Sequence, residues 1–304
     1  MGIIFGPVAS RRFGKSLGID LSPGRKQCNF DCVYCELDPA KPMDHYESVL
    51  GIEEILDAVD KGLRTHPDID VLTVTANGEP TLYPHLEQLM EGLDQIKGSV
   101  KTLILSNAST IDRPEIRRAL KHFDTVKLSL DCATLRCFRR IDRPDASVDL
   151  EKIKEGILTF RQEYRGVLII EILVVAGIND KTKEMEALND YLLQLKPERI
   201  DLGTIDRPPA YPVQPVSYER LRELSLQFDP SLSVHIASRK DLGALIPSAY
   251  SREEILDTLR KRPLTPEDIT LLFDASSRLR LQDLLQEQKV RLEENHGVNF
   301  YRPA

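Results

Sequence analysis

Short apolar runs along this chain alternate with longer segments in which apolar residues recur at helical spacing. Residues 52 to 66 show the helical pattern, with an apolar face made of Ile52, Ile55, Leu56, Val59 and Leu63. The alternation predicts strands at 16–21, 71–76, 101–106, 126–131, 168–175 and 199–203, and helices at 52–66, 86–96, after Pro114, 150–164, 183–195 and 217–228. Six consecutive strand–helix units predict an α/β fold, a parallel sheet with helices outside it.

Several predicted strands carry polar side chains on one face. The strand at 126–131 separates polar from aliphatic positions: Lys127, Ser129 and Asp131 against Val126, Leu128 and Leu130. A sheet covered on both faces is nearly all apolar, and a filled barrel interior is aliphatic. The pattern therefore favours an inner face that holds a ligand and water. Glu171 interrupts another apolar strand, and the alternative for this residue is an ion pair with a neighbour such as Lys127.

The last quarter of the chain departs from this alternation. We expect a barrel domain at 1–238, a connector at 239–251 and a small unit at 252–304. In the small unit the sequence predicts helices at 253–262, from the N-cap Thr265, and at 277–287, then strands at 289–293 and 298–301. Three helices and a hairpin are the order of a winged helix. Nine Lys and Arg stand against ten Asp and Glu here, so the basic surface of a nucleic-acid reader is missing.

Composition and charge narrow the class of protein only slightly. The 304 residues carry 41 Lys and Arg and 48 Asp and Glu, a net charge of -7, which argues against a general polyanion binder. No apolar run approaches the length of a bilayer, so we expect no membrane segment. The first residues are apolar and then basic, the reverse of a secretory signal, and we expect a cytoplasmic protein.

Three cysteines share one short loop. Cys28, Cys32 and Cys35 form a C-x3-C-x2-C array directly after the first predicted strand. A [4Fe-4S] cluster normally takes four thiolates, so three leave one iron open to a substrate. The alternative is zinc, for which His45 and Glu36 would be fourth ligands at non-standard spacing. Cys132 and Cys137 are interpreted as ordinary small side chains, because a five-residue offset does not place two residues on one helix face.

This loop, with Tyr34 before its last cysteine, resembles the signature of the radical S-adenosylmethionine (SAM) superfamily. The resemblance implies a partial (βα)6 TIM-like barrel in which the cysteines hold a [4Fe-4S] cluster and the open iron chelates the methionine part of SAM. It also implies that an electron from a reductant such as flavodoxin or ferredoxin splits the sulfonium. The 5′-deoxyadenosyl radical so released abstracts hydrogen from a substrate.

The same resemblance assigns roles to residues at the strand ends. Asn77-Gly78-Glu79-Pro80 follows the second predicted strand and is similar to a Gly-Gly-Glu motif that hydrogen-bonds the amino group of SAM, with Asn77 in place of the first glycine. Taken by itself, the motif is more typical of an ordinary turn between a strand and a helix. Contacts to the carboxylate or ribose of SAM are implied for Ser106, Asn107 and Ser129, and Tyr34 is expected beside the adenine. The alternative for Asn107 is helix capping.

The string Ile-Asp-Arg-Pro occurs twice, at 141–144 and at 205–208, each time beyond a predicted strand. Arg143 and Arg207, together with Arg11 and Arg12, would suit an anionic partner; the alternative is a stiff loop held by its own Asp–Arg pair. Together with the stretches GPVASRRFGKSLGIDL and NGEPTL, these strings make roughly residues 6–230 resemble the branch of radical SAM proteins related to the tRNA wyosine-base synthases. Those enzymes have cysteines ahead of the signature loop for a second cluster, whereas no cysteine precedes Cys28 here.

The sequence thus predicts an oxidoreductase-like radical SAM enzyme acting on an unidentified substrate, either an RNA base or a peptide. The alternative is a non-catalytic iron–sulfur or zinc-dependent winged-helix regulator.

Overall fold

The computed structural model describes residues 2–10, 13–236, 247–295 and 297–304. Within these residues the strands are β1 (Ile4–Ser10), β2 (Gly14–Asp20), β3 (Val71–Thr75), β4 (Lys101–Ser106), β5 (Thr125–Ser129), β6 (Val167–Val174), β7 (Arg199–Thr204), β8 (Val234–Ile236), β9 (Val290–Asn295) and β10 (Val298–Pro303). The helices are α1 (Ile52–Thr65), α2 (Leu86–Ile96), α3 (Pro114–Leu120), α4 (Leu135–Ile141), α5 (Leu150–Glu163), α6 (Thr182–Leu195), α7 (Tyr218–Ser225), α8 (Arg252–Lys261), α9 (Pro266–Leu272) and α10 (Ala275–Gln286).

Strands β1 to β8 form one sheet in sequence order. The edge strand β1 is antiparallel to β2, and each later strand is parallel to the one before it. The predicted α/β fold with a parallel sheet is therefore confirmed. Strands β1 and β8 were not predicted: the register of β1 shifts between Phe5 and Val8, which interrupts its alternation, and β8 is only three residues long.

The two faces of the sheet differ as the pattern predicted. Val126 and Leu128 of β5 are fully buried in the main hydrophobic core. On the other face Lys127 forms ion pairs with Glu171 and, at 3.3 Å, with Asp201, so the ion-pair interpretation of Glu171 is confirmed. The charged groups of this face partner one another.

The C-terminal residues contain α8, α9, α10 and the antiparallel pair β9–β10 around a second hydrophobic core. Thr265 caps α9 as predicted, in a reciprocal box with Asp268. Helix α10 begins at Ala275 rather than residue 277, because the Asp274 side chain accepts a hydrogen bond from Ser277 N and so caps the helix earlier. Of the expected connector, residues 239–246 lie outside the described residues, and Tyr250 is a buried member of the second core.

Among the described residues, no helix combines the length and the apolar character that a membrane crossing requires.

Candidate functional site

The three loop cysteines follow β2 and carry free thiols. Burial raises the pKa of the Cys28 thiol to about 12, and burial likewise raises the pKa values of Cys32 and Cys35. Buried thiols of this kind become thiolates when the positive charge of a bound metal displaces their protons. The loop is therefore suited to permanent metal ligation rather than to reaction as free nucleophiles.

The spread of the three sulfurs separates a cluster from a single ion. Within the described part of the chain, the one set of three ligand atoms lying within 4.8 Å of one another is Cys132, Cys137 and Glu184. The three loop sulfurs do not all lie within that distance of one another, whereas Zn–S bonds of about 2.3 Å would place the sulfurs of a tetrahedral site about 3.8 Å apart. The donor set fits a multi-iron cluster better than zinc.

The turn Asn77-Gly78-Glu79 lies directly against the cysteine loop. Gln27 N donates to Asn77 O at 2.8 Å, and Glu79 N donates to Gln27 O at 3.0 Å. Gly78 has a φ of +139°, and a Cβ on this residue would lie 1.9 Å from Gln27 O. Only glycine allows so close an approach, which explains the residue type one position before Glu79.

The Glu79 carboxylate points into the protein and accepts four hydrogen bonds. Oε1 accepts hydrogen bonds from Thr81 N, Thr81 Oγ1 and Ser106 Oγ, and Oε2 accepts one from Asn107 N at 2.7 Å. Burial raises the pKa of this carboxyl, while the hydrogen bonds from Thr81, Asn107 and Ser106 oppose the increase. The side chain thus connects the turn after β3 to the end of β4.

Three of the predicted cofactor residues line one cleft beside the loop. Tyr34, Asn107 and Ser129 meet there with Asp131 and Asp142. Tyr34 donates its hydroxyl proton to Asp131 Oδ2 at 2.6 Å, and Asn107 Nδ2 lies 3.7 Å from the sulfur of Cys28. Burial raises the pKa of Asp131, which gives the cleft a carboxyl that protonates more readily than usual.

Both Ile-Asp-Arg-Pro strings contact the cysteine loop or the residue next to it. Arg143 forms an ion pair with Asp31 at 3.8 Å and stacks on the Tyr211 ring at 4.3 Å. Arg207 pairs with Glu36 at 3.6 Å. Both arginines therefore have acidic partners in the loop, while Arg11 and Arg12 lie outside the described residues.

Sequence reasoning did not identify the residues that hold the cysteine loop in place. Gln27 is buried, and its Oε1 accepts hydrogen bonds from Glu47 N and Ser48 N. Asn29 is buried as well and hydrogen-bonds Asn107 and Ser109. The sequence signal for this role is the pair of amide side chains, Gln27 and Asn29, on the two sides of Cys28. Polar residues beside a metal ligand commonly orient it.

The interpretation of Cys132 and Cys137 as ordinary small side chains was wrong, because the structure joins them in a disulfide with Cα atoms 5.7 Å apart. Cys132 precedes α4 and Cys137 lies in its first turn, capped by Thr134. The chain turns back between them, which places the Cα atoms within the range for a disulfide. The prediction had assumed that both residues lay on one helix.

Comparison with known proteins agrees with this site. The sequence pattern of the Radical SAM superfamily matches residues 25–188. A relative from Helicobacter pylori strain J99, called UPF0026 protein, is 43% identical over 301 residues, covering 98% of this chain and 97% of the relative.

Two crystal structures show the same fold at low sequence identity. SuiB of Streptococcus suis, bound to its precursor peptide SuiA, has a TM-score of 0.57 and 17% identity and covers 74% of this chain and 49% of its own. A radical SAM methyltransferase from Sphaerobacter thermophilus has a TM-score of 0.56 and 16% identity, with 74% and 67% covered. With the match over residues 25–188 and the cysteine loop at its start, this chain belongs to the Radical SAM superfamily and is an enzyme of that family, which uses a [4Fe-4S] cluster and SAM.

Proposed function

We propose that this enzyme makes a 5′-deoxyadenosyl radical that abstracts hydrogen from an RNA base or a peptide side chain. When bound, the cluster and SAM supply that radical, with an electron from a carrier such as flavodoxin or ferredoxin. One observation carries the proposal: three free, widely spaced sulfurs lie beside the Asn77–Glu79 turn, joined to it by the backbone pairing of Gln27 and Gly78.

The proposed SAM contacts divide into two groups around Cys28. Tyr34, Asn107 and Ser129 line the cleft, and we assign them to the adenosyl and carboxylate parts of SAM. Asn77, Gly78 and Glu79 are assigned to the amino group. Because Glu79 Oε1 already accepts three hydrogen bonds, including one from Ser106, the contact is assigned to the backbone of this turn or to Oε2, which accepts only one.

Pairing of the arginines bears on the substrate class. An RNA substrate needs cations available to its phosphates. Arg143 and Arg207 are engaged by Asp31 and Glu36, so an RNA ligand would have to displace acidic partners. This favours a peptide over an RNA among the two proposed classes.

We also propose that the C-terminal residues 252–304 form a winged-helix-like unit beside a barrel of 1–238. The order of three helices and a two-stranded hairpin supports this. Its cations are largely paired, as in Arg252 with Glu287 and Arg302 with Glu293. The unit is therefore better suited to packing on protein than to binding a nucleic-acid backbone.

Anaerobic reconstitution tests the proposal. The wild-type protein is expected to bind iron and sulfide and to release 5′-deoxyadenosine from SAM after reduction with dithionite. Cys32→Ala should lose both properties, because two sulfurs cannot retain the cluster. The matched control is Cys132→Ala with Cys137→Ala, which removes two cysteines outside the loop and should retain both properties.

A wild-type protein that carries iron and sulfide but releases no 5′-deoxyadenosine would refute the proposed radical chemistry.

The substrate class is tested by retention of labelled tRNA at low salt. We expect that replacing Arg143 or Arg207 does not change the amount of tRNA retained. If Arg143→Gln abolishes tRNA binding, the result favours an RNA substrate instead.

A further inference from the structure

The last residue of helix α8 reaches from the C-terminal unit into the barrel. Lys261 is 8% exposed, and its Nζ donates to Asp20 Oδ2 at 2.5 Å and to Gly2 O at 2.7 Å. The ammonium also lies 5.1 Å from the centre of the Phe5 ring. Lys261 is therefore held by β1 and by the end of β2 together.

Asp20 connects this lysine to the turn at the candidate site. It is 1% exposed, and the oxygen that Lys261 does not contact, Oδ1, accepts hydrogen bonds from Asn77 N at 2.9 Å and from Ser22 N at 2.8 Å. Asn77 opens the Asn77–Glu79 turn, and Ser22 opens the segment that leads to Cys28. One carboxylate thus fixes the backbone on both approaches to the site.

Other contacts hold α8 in this position independently of the lysine. Asp257 Oδ2 accepts a hydrogen bond from Gly2 N at 3.0 Å, and Thr258 Oγ1 accepts one from Gly6 N at 3.2 Å. The helix can therefore dock on β1 without Lys261. The specific effect of Lys261 is to balance the charge of the Asp20 carboxylate and to fix its position.

We propose that Lys261 is a positioning residue for SAM: through Asp20 it orients the Asn77–Glu79 turn, so that the C-terminal unit contributes to cofactor binding in the barrel. This inference rests on the proposed function of that turn. Without the lysine, the buried Asp20 carboxylate would lack its cation partner, and its hold on the amide of Asn77 would weaken.

The test uses the full chain, reconstituted anaerobically, with Lys261→Met and the matched control Arg260→Gln. Arg260 is the preceding residue of α8 and pairs with Asp257 on the same helix, so its loss removes a cation without reaching Asp20. SAM is titrated against the electron paramagnetic resonance signal of the reduced cluster, and kcat and KM for 5′-deoxyadenosine release are measured in parallel.

Lys261→Met is expected to raise the half-saturating SAM concentration about tenfold with kcat within about twofold of wild type, since a positioning defect acts on binding. Arg260→Gln should match wild type. The double variant Asp20→Asn with Lys261→Met keeps an oxygen for Asn77 N and removes both charges, so it should recover most of the affinity. If Lys261→Met does not fold, Lys261→Gln is used in its place. For that variant we expect the half-saturating SAM concentration to rise about fivefold.

Equal SAM titrations for wild type and Lys261→Met would overturn the inference, as would a double variant no better than the single one. A loss of kcat with unchanged KM would also overturn it, because that result places Lys261 outside cofactor binding. Failure of the proposed function has a different signature, since the wild-type cluster signal would then not respond to SAM at all.

Discussion

Replacement of Gly78 by alanine tests the contact between the cysteine loop and the turn most directly. The added Cβ would lie 1.9 Å from the carbonyl oxygen of Gln27, and the residue would have to keep a φ of +139°. Contacts of a Cβ below 3.0 Å essentially do not occur, so one of the two backbone segments must retreat by about 1 Å or more. Gln27 directly precedes Cys28, and the shift would therefore move a cluster ligand.

The expected magnitude follows from two separate costs. Holding an alanine at so positive a φ costs about 1–3 kcal/mol. Loss of the two Gln27 backbone hydrogen bonds, if the segments separate instead, costs about 1 kcal/mol each. Retaining the present geometry is the less favourable course, because the clash adds to the strain, so the loop should separate from the turn and bind iron poorly.

Gly98→Ala is the matched control for this substitution. Gly98 also has a positive φ, +57°, but a Cβ there has no atom within 4 Å. An alanine there carries a smaller backbone cost, about 1 kcal/mol, and no clash. Iron and sulfide content after anaerobic reconstitution should be near wild type for Gly98→Ala and reduced severalfold for Gly78→Ala, while thermal melting reports the stability of both proteins.

Equal iron content in the two glycine variants would refute the reasoning, because the close approach of Gly78 to Gln27 would then have no bearing on the cluster ligands. A Gly78→Ala protein that loses iron and also melts far below the Gly98→Ala protein would contradict it as well, since the predicted change is confined to the loop and the turn.

Three further predictions concern single hydrogen-bonding side chains. The hydrogen bond from His66 lowers the pKa of Glu254 to about 2, against 4.5 unfolded, so its contribution to stability is present above pH 4.5 and is lost as the pH falls toward 2. Acid unfolding followed by circular dichroism should show this loss of unfolding free energy, about 1 kcal/mol after solvent screening. In Glu254→Gln the loss over the same pH range should be smaller. Tyr46 donates to Glu79 O at 3.0 Å, so Tyr46→Phe should cost about 1 kcal/mol in urea unfolding. Asp149 caps α5, and Asp149→Ala should lower the free energy of unfolding by about 1 kcal/mol in the same assay, with Asp149→Asn near wild type.

The fold was largely predictable because its signals are local. Helix α2 and strand β4 have the predicted bounds. In each, the spacing of apolar residues is regular, and the flanking residues break that spacing at the ends. Helix α4 was not predicted, because seven residues with three exposed arginines give too little periodicity. The cysteine loop was recognised for the same local reason, since its three ligands lie within eight residues.

The orientation of side chains at the site could not be predicted in the same way. The sequence gives Glu79 an acceptor group, but whether that group faces a ligand or the protein depends on Thr81, Ser106 and Asn107, which arrive from two different segments. The arginines of the repeated strings show the same limit, since their acidic partners lie more than 100 residues away along the chain. The orientation and the partners of such side chains depend on tertiary packing, which the periodicity of the sequence does not encode.

The buried pair of Lys261 and Asp20 illustrates why this site requires residues distant in sequence. A buried ion pair contributes little net stability, because desolvation of both charges offsets their attraction, and an apolar pair of similar volume would often serve the packing equally well. An apolar residue at position 20, however, would leave the amides of Asn77 and Ser22 without their acceptor, at a cost of about 1–3 kcal/mol for each buried group. The turn and the start of the loop therefore require a side-chain oxygen at position 20, and the Asp20 carboxylate that supplies it is paired with a cation. That cation is Lys261 of α8, which makes the C-terminal unit a structural part of the SAM site that we propose.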